Sequence, residues 1–216
     1  MAEIICLANS RKHGNLCIAG LDRASRRLIR PVSTLPDGGL TAEMQRVSGQ
    51  TPCLLDILEV PLAGTGPDYG FQPENRLLVP GRWQRSGRAE PGDLAGFCEP
   101  GPVVLHNSAA SVAWKFLHDL PRPQWKSLQL IRVDAVEFYH MPARWGGEKF
   151  RARFSCHGSP PYDLAVTDMA METRIRNGSP PRCPCILLVS LGWPYPGDDP
   201  NPLCYKLVAG VIELPG

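Results

Sequence analysis

Two stretches concentrate side chains able to hold an anion. In "CLANSRKHG", residues 6–14, Asn9 and Ser10 can hydrogen-bond, Arg11 and Lys12 can pair with phosphate, and Gly14 permits close backbone approach. Arg23, Arg26, Arg27 and Arg30 follow, opposed only by Glu3, Asp22 and Asp37 within the first forty residues. In "RWGGEKFRARF", residues 144–154, strand alternation sets Lys149, Arg151 and Arg153 on one face and Phe150 and Phe154 on the other. Trp145, in the glycine-rich turn beside them, is placed to stack on a base. "QPEN", residues 72–75, adds Gln72 and Asn75, whose amides suit base edges, with Glu74 to hold them. In "CYK", Tyr205 and Lys206 alternate, so one is buried and one exposed, and Lys206 is the expected ligand contact. Each feature also has a plainer reading: a charged strand edge, a packed tryptophan, a turn closed by its own side chains.

Catalytic patterns are missing. The chain has no HExxH, GxSxG, GxxxxGK or Rossmann glycine pattern. "DILEV" pairs Asp56 with Glu59, but Pro61 stands where a metal-dependent nuclease would want lysine. Cys156, His157, Cys183 and Cys185 number enough for zinc, yet their spacing is not CxxC, and Cys185 opens an apolar strand. The expectation is a protein without catalysis, cofactor or metal, for which nuclease activity ranks last.

The elements that must position these residues are short. Hydrophobic residues make up 43% of the 216 and charged residues 20%, enough for a packed core. Gly and Pro number 21 and 23, which implies many turns. A net charge of +2 excludes a generally basic binder and leaves room for a local patch. The eight cysteines mostly adjoin apolar runs and read as buried free thiols of a reducing compartment. The N-terminus lacks the pattern of a signal peptide and no apolar run is long enough to span a bilayer, so a cytoplasmic protein with no membrane partner is expected.

Along the chain, "EIICLAN", "NLCIAGLD", "RLIRPVS" and "CLLDILEVPL" read as strands, "TAEMQRV" as a short helix capped by Thr41, and 62–93 mostly as loop with "RLLV" a brief strand. In "NSAASVAWKFLHDL", Val112, Phe116 and Leu120 recur at helical spacing. Beyond it the order is strand, strand, strand, helix, strand, strand: "LQLIRVDAVEFYH", "EKFRARFSC", "YDLAVTD", "DMAMETRIR", "CILLVSL" and "CYKLVAGVIEL". That is the element order of an OB-fold. The first half repeats its opening. The chain therefore reads as mainly β, with two OB-like β-barrels and short helices: residues 1–106, a linking helix at 107–124, and residues 125–216. A single PUA- or ASCH-like β-domain is the alternative.

Taken in order, "CLANSRKHGNLCIAG", "LIRPVS", "LLDILEVPL", "QPEN", "YDLAVTD" and "VSLGWPY…CYKLVAGVI" resemble the dual OB-containing domain proteins over nearly the whole chain. One departure is Met169 after "VTD", where a proline or polar turn is expected. The resemblance implies a nucleic-acid-binding module of bacterial conflict or phage-defence systems, with no catalytic residue set. The expected function is thus binding of nucleic acid, single strands favoured, through Asn9, Ser10, Arg11, Lys12, Arg30, Gln72, Asn75, Trp145, Lys149, Arg151 and Lys206, with a possible protein partner from the same operon. The alternative is a sensor of a nucleotide-like small molecule or a protein-interaction adaptor.

Overall fold

The computed structural model describes the chain except residues 13, 144, 145, 157, 196–200 and 216 and the Lys12 side chain. The first half builds a six-stranded sheet from β1 (Ala2–Lys12), β2 (Asn15–Asp22), β3 (Arg27–Val32), β4 (Asp56–Val60), β5 (Asn75–Leu77) and β6 (Gln84–Arg88), in the order β5-β3-β2-β1-β4-β6. All pairs are antiparallel except β3 with β5. Beyond β4 a lone antiparallel bridge joins Leu62 to Leu78, just after β5. That bridge links the two sides of the sheet in the OB order, although the hydrogen bonding does not form a fully closed barrel.

The second half repeats the plan with β7 (Ser111–Ala113), β8 (Leu128–Val133), β9 (Val136–Pro142), β10 (Glu148–Phe154), β11 (Tyr162–Val166), β12 (Cys185–Leu191) and β13 (Leu203–Glu213). Its sheet runs β8-β12-β13-β11-β10-β9, with β7 added beside β13. Here β11 and β13 are the parallel pair. The outermost strands, β8 and β9, are successive pieces of one run broken only at residues 134–135. One bent strand thus serves both edges, as the first strand of an OB-fold must.

Why are several strands apolar without alternation? They are buried on both faces. Ile4 and Cys6 of β1 enter the core of the first sheet with Ile18, Ile29, Leu58 and Trp83. Ile5 and Leu7, on the opposite face, join Leu128, Leu130, Ile186, Leu188, Ala209 and Ile212 in a cluster drawn from both halves. The other apolar residues of β12, Cys185, Leu187, Val189 and Leu191, line the core of the second sheet. The two halves are fused through a hydrophobic seam. Backbone bonding crosses it too: the Arg11 N–H donates to the Thr167 carbonyl at 3.2 Å.

Helix α2 (Met169–Arg176) starts at Asp168, whose carboxylate accepts from the Met171 N–H at 3.1 Å and from the Val211 N–H at 3.2 Å. Burial holds the Asp168 carboxyl above the usual carboxylate range, despite those N–H donors. Asp168→Ala removes a buried cap and a strand contact together, and is expected to lower stability by about 2 kcal/mol in urea melts.

Two expected helices are corrected. Residues 41–47 form no helix: 42–45 turn and Val47 bridges to Gln50; the Thr41 hydroxyl does accept from the Met44 N–H at 3.2 Å, but Ser48 and Gly49 take positive φ and end the path. The 107–120 stretch splits. Its residues 111–113 pair with 203–205 as β7, leaving α1 (Trp114–Asp119) six residues long. Leu117 is its buried residue, while Phe116 is 48% exposed. Strand pairing outweighed the helical period.

Candidate functional site

At the seam, a buried polar divider joins the halves. Arg30, in mid-β3, lies opposite Asn75 of β5 in the parallel register, which brings their side chains together. Its Nη1 donates to Asn75 Oδ1 at 2.9 Å and Ser127 Oγ at 3.1 Å, and its Nη2 to Ser190 Oγ at 3.2 Å. Ser127 in turn donates its hydroxyl to Glu74 at 2.7 Å and its N–H at 2.8 Å. Asn75 is held by the Pro67 carbonyl and by Gln72 Oε1 at 3.1 Å. Arg30 is 2% exposed, Gln72 2% and Asn75 1%.

The divider separates two openings. On one side, Ser10, Arg11, Cys17, Arg30, Gln72 and Trp193 help to line a cleft of about 170 Å³. On the other, Arg26, Arg27, Arg76 and Lys126 surround a groove of about 350 Å³ whose walls include Phe97 and Trp125. The Arg26 guanidinium lies 4.6 Å from the Phe97 ring centre, a cation–π distance. Trp125 is half-buried and anchored by its Nε1–H on the Leu120 carbonyl at 3.0 Å. Arg76 donates to the Pro73 and Asn75 carbonyls at 2.9 and 2.8 Å, both neutral partners. The groove's two carboxylates are engaged: Glu99 pairs with Lys126, and Glu74 takes Ser127 and the Leu128 N–H. Four cations against two carboxylates leave the groove cationic.

The sequence-predicted residues separate into three groups. Ser10, Arg11, Arg30 and Gln72 meet at the cleft, with Asn75 behind Arg30; Asn9 is buried and donates to the Pro52 carbonyl at 3.0 Å. Arg11 is at the rim and pairs with Glu172 of α2 at 3.2 Å. The Lys12 side chain and Trp145 lie outside the described residues. On β10, Lys149 is exposed, but its neighbours are neutralised. Arg151 binds Asp163 at 2.9 Å, and Arg153 binds Glu137 and Asp163 at 3.3 and 3.7 Å. Those arginines and the Tyr139 hydroxyl hold the Asp163 carboxyl below the usual range against its partial burial. Lys206 points inward and Tyr205 is the exposed member of that pair.

Asp56 and Glu59, three apart on β4, fall on opposite faces; Asp56 is buried and 3.4 Å from Arg88. Cys183 is exposed and Cys185 buried, its thiol pushed up to about 12 by burial. Cys156 is also buried, and His157 lies outside the described residues. The groove residues Arg76, Trp125 and Lys126 were missed from sequence: Arg76 sits in the three-residue β5, too short to show alternation, and Trp125 and Lys126 in an irregular segment without periodicity.

Two OB-ordered sheets fused along β1 and β13 agree with the family comparison, in which the dual OB-containing domain matches residues 2–211. The chain belongs to that family. Comparison with curated proteins and with solved structures gives no match. In this dual OB-containing chain the match spans both sheets and the seam, so the cleft and the groove lie within the family's shared architecture. No helix of the described residues is long and apolar enough to cross a membrane.

Proposed function

We propose that this protein binds single-stranded nucleic acid without cleaving it, and that the strand runs along the cationic groove at the seam. The observation that carries the reading is the gathering of Arg26, Arg27, Arg76 and Lys126 around Trp125 between two OB-type sheets. OB-folds bind oligonucleotides on such surfaces, with cations tracking phosphates and aromatic rings stacking on bases. The internally paired β10 face supports the groove over that strand as the main contact, because its arginines are already neutralised. A sensing role in bacterial defence, beside a protein partner from the same operon, extends this reading.

The test is anisotropy with short oligonucleotides across salt concentrations. Three neutralised phosphates, at Arg26, Arg27 and Arg76, predict a log–log salt slope of about −2 for a single strand. Arg27→Ala with Arg76→Ala should reduce that slope by about 1.4. Trp125→Leu should instead weaken all base sequences alike, by about 1–3 kcal/mol, with the slope unchanged. Absence of binding at low salt overturns the proposal.

A further inference from the structure

The cleft on the other side of the divider has a different chemistry. The Arg30 guanidinium is buried, and its three hydrogen bonds all end on neutral oxygens. Three bonds use three of its five N–H groups. Among the described residues no carboxylate comes within 4.0 Å of it; Glu74 is one hydroxyl removed, beyond Ser127. A buried cation compensated only through a hydroxyl is costly unless an anion completes its shell. The same side chain lines a cleft edged by Ser10, Gln72, Thr167 and Ser190, with Arg11 at the rim.

We propose that this cleft is a binding site for one phosphate group, held by the Arg30 fork and the surrounding hydroxyl and amide groups. Size decides the extent of the ligand. A volume of about 170 Å³ is well under the roughly 300–1,000 Å³ of sites that enclose drug-sized molecules. It holds a phosphate group but does not enclose a whole nucleotide, so the rest of a larger ligand extends through the open mouth. Arginine suits this role because its planar fork matches phosphate oxygens two at a time. The phosphate arrives either as a small free phosphate compound or as the 5′ end of a strand. The site is separate from the groove, so the two readings stand or fall independently.

Inorganic phosphate is the first probe, compared with chloride at matched ionic strength in thermal melts of the full chain. At a hundredfold excess over its dissociation constant, phosphate should raise the melting temperature by about 5 °C more than chloride does. Arg30→Met should abolish that difference. Because Arg30 is buried and its loss can unfold the chain, Cys17→Leu is the second variant: Cys17 lines the cleft and is half-buried, and leucine narrows the space without touching the partners of Arg30. It too should abolish the shift. No stabilisation beyond chloride, or a shift that survives Cys17→Leu, overturns the site. A second arm compares 5′-phosphorylated and 5′-hydroxyl oligonucleotides. Tenfold preference for the phosphorylated strand identifies a strand end as the source, and equal binding identifies free phosphate. The Arg27→Ala, Arg76→Ala double variant should keep the phosphate shift while losing oligonucleotide affinity, which separates this site from the groove.

Discussion

Gly210→Ala is expected to cost more than about 3 kcal/mol, and Gly210→Val to leave little folded protein, because nothing nearby can yield. A Cβ at Gly210 would stand 1.9 Å from the Leu7 carbonyl oxygen, 3.0 Å from its carbon and 3.3 Å from the Ala8 Cα. These are backbone atoms of β1, so no rotamer change relieves the clash. β1 cannot move alone either, since it is hydrogen-bonded to β2 on one side and β4 on the other. The side chain would have to part the seam, and Ile5, Leu7, Ala209 and Ile212 would lose their packing with it. Gly92→Ala is the control: its Cβ meets nothing within 4 Å and its φ is not left-handed. It should alter stability by no more than about 0.5 kcal/mol. Urea melts in which the two variants lose equal stability would contradict this account of the seam.

The same seam explains what could be read in the sequence. Strands such as "CILLVSL" were legible because dense apolar runs have few other uses, and the second half's element order came through intact. What such a run packs against was not legible. Ile186 and Leu188 face the first half, while Leu187 and Val189 face the second sheet's interior, yet all four are the same kind of residue. β6, "QRSGR", has no apolar alternation and is a strand only because β4 pairs with it. The site suffered similarly. Alternation put Lys149, Arg151 and Arg153 on one face, but their neutralisation depends on register, which sets Arg153 opposite Glu137 on β9 and Asp163 on β11. Arg30 was visible as a cation within "LIRPVS"; its depth follows from the parallel pairing with a segment 45 residues away. The groove drew Trp125 and Lys126 from the proline-rich stretch after α1, where no pattern signals a wall.

Lys206 shows how far a residue's type can mislead about its use, and it yields the second large effect. Its ammonium donates to the Asn107 carbonyl at 2.6 Å, Asn107 Oδ1 at 2.8 Å and the Ala109 carbonyl at 2.7 Å, over the Tyr162 ring. It thereby holds the turn that leads into β7. Lys206→Ala opens a cavity where the stem lay and strips the Ala109 carbonyl of its buried donor, so a loss of about 3 kcal/mol is expected. Lys206→Met keeps the stem's volume and removes the charge, and should lose less, about 1–2 kcal/mol. Burial lowers the Lys206 pKa to about 8, whereas an unfolded lysine titrates near about 10.4. Between those values the unfolded chain binds more protons, so this lysine's contribution to stability rises with pH across that window and is least below 8. Other groups titrate there too, so the difference between wild type and Lys206→Met isolates it. That difference, followed by urea melts from pH 7 to 10.5, should widen in favour of the wild type; a constant difference would mean that the ammonium is not desolvated in the fold.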